Sequence, residues 1–224
     1  MAWEQGPRSG PKGFLGAVVE FFFPTKCAVC KECGRELLCD RCREALEKAF
    51  CPRRYLASGG NGFADGMVSM FPFTSLPVKI LVYGGKRADY GEFVPVFASF
   101  LLQTEKKGLL PKADLVTYAP RRPAAKREVG FDQGEVIAKG VSRVLGIPYE
   151  ALLERRGRSR PQRYLKGEDR EDNVRGVFRA VRLLAGETVL LVDDVVTTGA
   201  SVRECARILK GAGAQKVFVL TIAH

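Results

Sequence analysis

Apolar and polar positions along this chain fall into blocks whose period switches between that of a strand and that of a helix. Residues 67–73 have the apolar density of a strand, while 77–85 and 93–102 carry apolar positions at helical spacing on either side of a basic turn at 84–87. A short β-branched run over 114–119 leads into Pro120-Arg121-Arg122, and 134–145 reads as a helix closed by Gly146 and Pro148. Residues 189–192 are continuously apolar, as in a central parallel strand, and are followed by a helix at 201–210 and a strand at 216–223. Strand, loop, helix, strand is a βαβ unit, so the pattern predicts an α/β fold around a parallel sheet.

The blocks between these elements set the organisation. Residues 1–12 are polar and rich in Gly and Pro, with no face to bury, and read as a tail. The apolar stretch 14–23 is roughly half as long as a membrane span and is interrupted by Glu20, which predicts a short amphipathic helix and no span. A glycine cluster at 59–62 marks a boundary, giving a tail and short helix over 1–23, a cysteine-rich module over 24–58 and a main domain over 63–224. Charged residues of both signs fill 154–173 with little apolar periodicity, as in a surface loop. No charged leader with an apolar run and cleavage site is visible, so the expected location is cytoplasmic.

Cysteine usage sharpens the picture of the module. Of seven cysteines, six fall between Cys27 and Cys51, where a reducing compartment favours metal over disulfides. Cys27-Ala-Val-Cys30 and Cys39-Asp-Arg-Cys42 are two C-x2-C pairs able to converge tetrahedrally on one Zn²⁺, with Cys33 as the alternative ligand through its spacing from Cys30. Four thiolates leave no open coordination position, so the expected zinc is structural. Cys205 reads as a small apolar residue on a helix face, and the single histidine, His224, offers no Cys–His or Ser–His–Asp arrangement.

The sharpest motif is Val-Leu-Leu-Val-Asp-Asp-Val-Val-Thr-Thr-Gly-Ala-Ser over 189–201. A parallel strand ends in Asp193 and Asp194, and Val195, Val196, Thr197, Thr198, Gly199, Ala200 and Ser201 lead into a helix. Unpaired N–H groups of that first turn, with the hydroxyls of Thr197, Thr198 and Ser201, can cradle a phosphate. The two carboxylates lie where a sugar on that phosphate would sit and can accept from its hydroxyls or help orient Mg²⁺. There is no Gly-Lys-Ser/Thr after a glycine-rich loop and no dinucleotide fingerprint, so neither ATP hydrolysis nor hydride transfer is supported. A net charge of +11 favours phosphate-bearing partners, including nucleic acid.

The 189–201 segment is identified as the phosphoribosyl-pyrophosphate (PRPP) signature of type I phosphoribosyltransferases. With a cysteine module ahead of it, the chain resembles the ComF family, phosphoribosyltransferase-like proteins associated with DNA uptake in natural competence. Phe-Pro before the first cysteine, 78–83 with Lys86, Gly130-Phe131-Asp132-Gln133, and Gln162, Arg170, Asn173 and Gly176-Val177-Phe178 are similar to recurring family segments. The resemblance implies a type I phosphoribosyltransferase-like parallel sheet, PRPP held at Asp193–Ser201 with Mg²⁺, and pyrophosphate held by Arg121, Arg122, Lys126 and Arg127. It further implies a lid over 155–173. Asp193 and Asp194 are the candidate catalytic residues if the protein transfers ribose. Two departures stand out: Val129 and Asp132 replace the Arg and Asn usual in the Arg-Gly-Phe-Asn-Gln segment, and Pro52-Arg53-Arg54 follows Cys51 in place of a second cysteine pair. Three functions fit: a PRPP-loop protein handling single-stranded DNA among DNA-uptake proteins, an active transferase acting on a nucleobase or amine, or a nucleotide-sensing scaffold.

Overall fold

The computed structural model describes residues 25–34, 38–56, 64–84, 94–156 and 174–224. The expected helix at 14–23, the turn at 85–87, the boundary at 59–62 and most of the loop after 156 lie outside the described residues.

A two-residue antiparallel ladder, β1 (Thr25–Lys26) with β2 (Cys33–Gly34), precedes helix α1 (Asp40–Ala49). The main sheet then collects β3 (Arg53–Leu56), β4 (Gly66–Phe71), β5 (Leu115–Tyr118), β8 (Thr188–Val195) and β9 (Lys216–Ala223) in the order β3-β4-β9-β8-β5. Every pairing is parallel except β3 with β4. Helices α2 (Leu76–Gly84) and α3 (Val94–Lys106) connect β4 to β5; α4 (Pro123–Val129) and α5 (Gln133–Leu145) follow β5. A small antiparallel pair, β6 (Leu153–Arg155) with β7 (Phe178–Ala180), precedes β8, and α6 (Ala200–Gly211) joins β8 to β9. The expected α/β architecture with a mostly parallel sheet is what the chain adopts.

Alternation along β8 divides the core. Leu190 and Val192 pack with Ile137, Ala138 and Val141 of α5, and Val189 and Leu191 pack with Cys205, Ala206 and Leu209 of α6. The cysteine segment is continuous with the first of these clusters: Cys27, Val29, Leu38, Cys42 and Leu46 are buried together with Phe71, Val78 and Phe100. Phe50 seals the join, its ring 5.7 Å from that of Phe71 and 5.1 Å from that of Phe100. β3, which belongs by sequence to the cysteine-rich stretch, hydrogen-bonds to β4 and so forms the edge of the main sheet.

Two local departures from the expected pattern bear on the site. The run after β5 is not all loop: Pro123 stands at the first position of α4, where its missing N–H costs nothing, so Lys126 and Arg127 become helical. Residues 154 and 155, expected in a surface loop, pair with 179 and 178.

Candidate functional site

β5 and β8 are neighbours, with Tyr118 opposite Val192, and the Ala119 N–H donates to the Val192 carbonyl at 3.1 Å. The segments following the two strands therefore leave the sheet side by side at its carboxyl end, where open α/β sheets bind ligands. The connection after α5 lines the outer edge of β5: Glu150 N–H donates to Val116 O at 2.9 Å and Leu152 N–H to Thr117 Oγ1 at 3.1 Å. That course brings Arg155 near enough to Arg122 for the two charges to interact.

β8 runs through both acids, so alternation sends Asp194 to the α5 face and Asp193 to the α6 face. Asp194 Oδ2 accepts from the Arg121 guanidinium, an ion pair whose side chains are only 12% and 23% exposed. Burial, and then the adjacent Asp194, push the Asp193 carboxyl well above the usual carboxylate range. Cys205 on α6 is fully buried, and burial followed by the charge of Asp193 pushes its thiol up. Two neighbouring acids in this setting cannot both ionise cheaply without a cation, and Arg121 supplies one.

The turn out of β8 is held from behind. Thr221 on β9, fully buried, places its hydroxyl 3.1 Å from the Asp194 carbonyl and 3.0 Å from that of Ala223. His224 Nδ1 lies 2.8 Å from the Val196 carbonyl, an oxygen that can only accept, so this nitrogen carries the proton. Val196 N–H returns a bond to Ala223 O at 3.1 Å. Thr197 and Thr198 are exposed beyond this anchor, and Gly199, with φ +76°, caps α6 in the left-handed region that lets the chain turn sharply into the helix. Gly199 makes no side-chain cap, so the first N–H groups of α6 face the turn, with Ser201 half-buried among them.

Of the expected cations, Arg121 meets Asp194 directly. Arg122 is half-buried, and burial lowers its pKa. Lys126 lies 3.8 Å from Glu135, and Arg127 is exposed on α4; neither hydrogen-bonds or ion-pairs with Asp193 or Asp194. Sequence reading passed over Arg155, whose guanidinium sits 5.0 Å from the Phe178 ring; burial and then the charge of Arg122 lower its pKa, which puts two guanidiniums near each other. It also passed over His224, whose contact with Val196 depends on β9 lying beside β8. The carboxylate at 132 is 2% exposed and caps α5 beside Arg121: Oδ1 accepts from Gly134 N–H at 3.1 Å and Oδ2 from Arg121 N–H at 3.0 Å.

The second site is the cysteine cluster. Sγ atoms of Cys27, Cys30, Cys39 and Cys42 all lie within 4.8 Å of one another, and Cys30 and Cys39 are 3.7 Å apart. Tetrahedral coordination with Zn–S bonds of about 2.3 Å requires sulfurs about 3.8 Å apart, so the donor set fits a four-coordinate metal. Burial opposes ionisation of Cys27, but backbone N–H groups of Cys39, Cys30 and Val29 bring its thiol down to about 6. Burial, then the neighbouring thiols, push Cys42 up to about 12. One thiolate is tolerated and a second is repelled, the electrostatic condition that a bound cation removes. Cys33 is in β2, its backbone paired with Lys26; Cys51 is exposed and outside the cluster. Four clustered cysteines of this kind could hold a metal such as zinc.

Residues 132–224 match the phosphoribosyl transferase domain family, a span that begins at the α5 cap and includes both acids and the turn after β8. The DNA utilization protein YhgH of Salmonella typhi is 27% identical over 200 residues, covering 81% of this chain and 88% of that one. Competence protein F of Haemophilus influenzae is 30% identical over 100 residues, covering 42% and 43% of the two chains. A solved adenine phosphoribosyltransferase superposes over 81% of this chain and 89% of its own, at 18% identity and a TM-score of 0.40. The sheet, the acid pair and the turn after it define a phosphoribosyltransferase-like protein. With its four-cysteine cluster and its similarity to YhgH and competence protein F, the chain resembles proteins of the ComF family. Among the described residues no helix is long and apolar enough to cross a membrane.

Proposed function

We propose that this chain binds PRPP in the crevice between the ends of β5 and β8 and serves DNA uptake, as the names of its relatives suggest for them. The observation that carries the reading is the Arg121–Asp194 contact: a cation from the loop after one strand already rests on the acid pair at the end of the next. In this reading Thr197, Thr198, Ser201 and the N–H groups of α6 hold the 5-phosphate, and Gly199 lets the backbone approach it. Asp193 and Asp194 accept from the ribose hydroxyls, and Arg121 exchanges Asp194 for the pyrophosphate, joined by Arg122. Lys126 and Arg127 contribute long-range attraction from α4. Asp193 and Asp194 are also the carboxylates suited to Mg²⁺, which when bound supplies positive charge to the pyrophosphate. If ribose is transferred, these residues orient C1 and stabilise the departing anion, so positioning and charge do the work.

Zn²⁺ on Cys27, Cys30, Cys39 and Cys42 completes the cysteine module, and the reduced thiols suit a cytoplasmic protein. The net charge of +11 suits a single-stranded DNA backbone as a second partner. Calorimetric titration of PRPP with Mg²⁺, followed by single-stranded DNA, tests the proposal. Saturable heat from PRPP, and DNA binding that weakens steeply with salt, are expected; absence of PRPP heat sinks the site assignment. Pyrophosphate release on adding nucleobases or amines would make the protein a transferase.

A further inference from the structure

Gln133, the first residue of α5, is wholly excluded from solvent, and neither Nε2 nor Oε1 of its carboxamide has a hydrogen-bond partner. The cap before it cannot help, because both oxygens of Asp132 are already taken by the N–H groups of Gly134 and Arg121. Nor can the helix settle closer to the sheet to find a partner: Gly134 is already pressed so closely on the end of β5 that a Cβ there would stand 3.3 Å from the Tyr118 ring and 3.4 Å from the Ala119 carbonyl. A buried amide with both ends unsatisfied is costly, and a leucine or methionine would fill the position without that cost.

Its place in the fold indicates what it is for. α5 covers the face of the sheet to which Asp194 points, and its first turn lies at the end of the sheet where Asp194 stands. Arg121 joins the two, its backbone tied to Asp132 and its guanidinium on Asp194. A carboxylate only accepts hydrogen bonds, whereas a carboxamide also donates; a sugar hydroxyl, which does both, satisfies one of each.

Resting on the PRPP reading above, we propose that the Gln133 carboxamide is a third group of the ribose subsite, uncovered when Arg121 leaves Asp194. Its Nε2 donates to the sugar hydroxyl whose proton Asp194 accepts. Gln133 thereby distinguishes a phosphorylated sugar from free phosphate or pyrophosphate, which lack that hydroxyl.

The test compares the full chain with Gln133→Met by calorimetry, using ribose 5-phosphate and inorganic pyrophosphate as probes, together with thermal melts. Gln133→Met is expected to weaken ribose 5-phosphate by about tenfold and leave pyrophosphate unchanged. Its Tm should hold or rise by about 2–4 °C, because an unsatisfied amide has gone. A lower Tm with unchanged ribose 5-phosphate affinity would make Gln133 purely structural and overturn the proposal. Should Gln133→Met not fold, the side-chain amide resonance of Gln133 in the unsubstituted protein decides. A shift on adding ribose 5-phosphate but not pyrophosphate supports the assignment, and no shift overturns it. If the unsubstituted protein binds neither PRPP nor ribose 5-phosphate, the PRPP reading itself fails and Gln133 falls with it; normal binding with an indifferent Gln133→Met removes this assignment alone.

Discussion

Stripping the metal from the cysteine cluster should destabilise the whole protein, and the size of the effect can be worked from the site. The sulfurs already stand close to the spacing a tetrahedral ion needs, 3.7 Å between Cys30 and Cys39, so folding and zinc binding reinforce each other with little rearrangement. An ion that binds only the folded chain, at a free concentration a thousand times its Kd, adds about 4 kcal/mol. For a chain of this size each kcal/mol moves Tm by about 2–4 °C, so removal should lower Tm by about 8–16 °C. The assay is a thermal melt with and without a strong zinc chelator, paired with metal analysis of the purified protein. Cys42→Ser should lose the metal and reproduce the shift, whereas Cys51→Ser, altering an exposed thiol outside the cluster, should retain both metal and Tm. Cys33→Ser should also keep its metal, because Cys27, Cys30, Cys39 and Cys42 already supply four sulfurs. Equal Tm for loaded and stripped protein, or metal loss in the Cys51 variant with retention in Cys42→Ser, would refute the reasoning.

Two further outcomes concern the acid pair and the turn. The folded-state pKa of Asp193 is raised above its unfolded value, so the protein is penalised as pH climbs through that raised pKa and is spared at low pH. Asp193→Asn should therefore melt higher than the parent at about pH 8, lose that advantage near pH 4, and bind PRPP at least tenfold more weakly; melts across pH with calorimetry check both, and a destabilised variant at pH 8 contradicts the assignment. Gly199→Ala must hold a side chain at φ +76° and meets Arg203 Nη1 at 2.9 Å, which disturbs the bond from that nitrogen to the Thr198 carbonyl. A cost of about 1–2 kcal/mol and a weaker affinity for PRPP are expected, and unchanged binding by calorimetry would place the phosphate elsewhere.

The features written most plainly in the sequence were those with local causes. The apolar run before Asp193 is a buried central strand, and the helix over 134–145 ends where Gly146 stops it. Two C-x2-C pairs predicted a four-sulfur cluster because ligand convergence is built into their spacing. What was hidden depends on partners distant in sequence. β3 has a largely exposed, charged composition and becomes a strand through its register with β4. β6 needs β7, which lies beyond a long intervening segment. Pro120-Arg121-Arg122-Pro123 reads as loop, yet its second proline begins a helix. An unsatisfied amide such as that of Gln133 cannot be seen from residue types, because a glutamine in a sequence looks the same whether water, protein or nothing surrounds it.

The cysteine cluster packs into one of the two cores and the candidate phosphate turn, through Val196 and Ala200, into the other, and the order of strands explains how one can support the other. Cys42 and Leu46 share a cluster with Phe71, at the end of β4. Phe71 is paired with Ala223 of β9, and its carbonyl accepts the His224 N–H at 3.2 Å. Tyr55 of β3 sets its ring edge-on against His224, with centroids 5.1 Å apart, and His224 in turn holds the Val196 carbonyl. The turn after β8 therefore leans on β9, β9 on β4, and β4 on the hydrophobic floor of the cysteine module. Strands packed in this way shift as blocks, since a close-packed interior transmits displacement instead of absorbing it. A metal that fixed the module would therefore also fix the far wall of the candidate phosphate turn, which would give a four-thiolate ion with no open coordination position a direct bearing on ligand binding across the sheet.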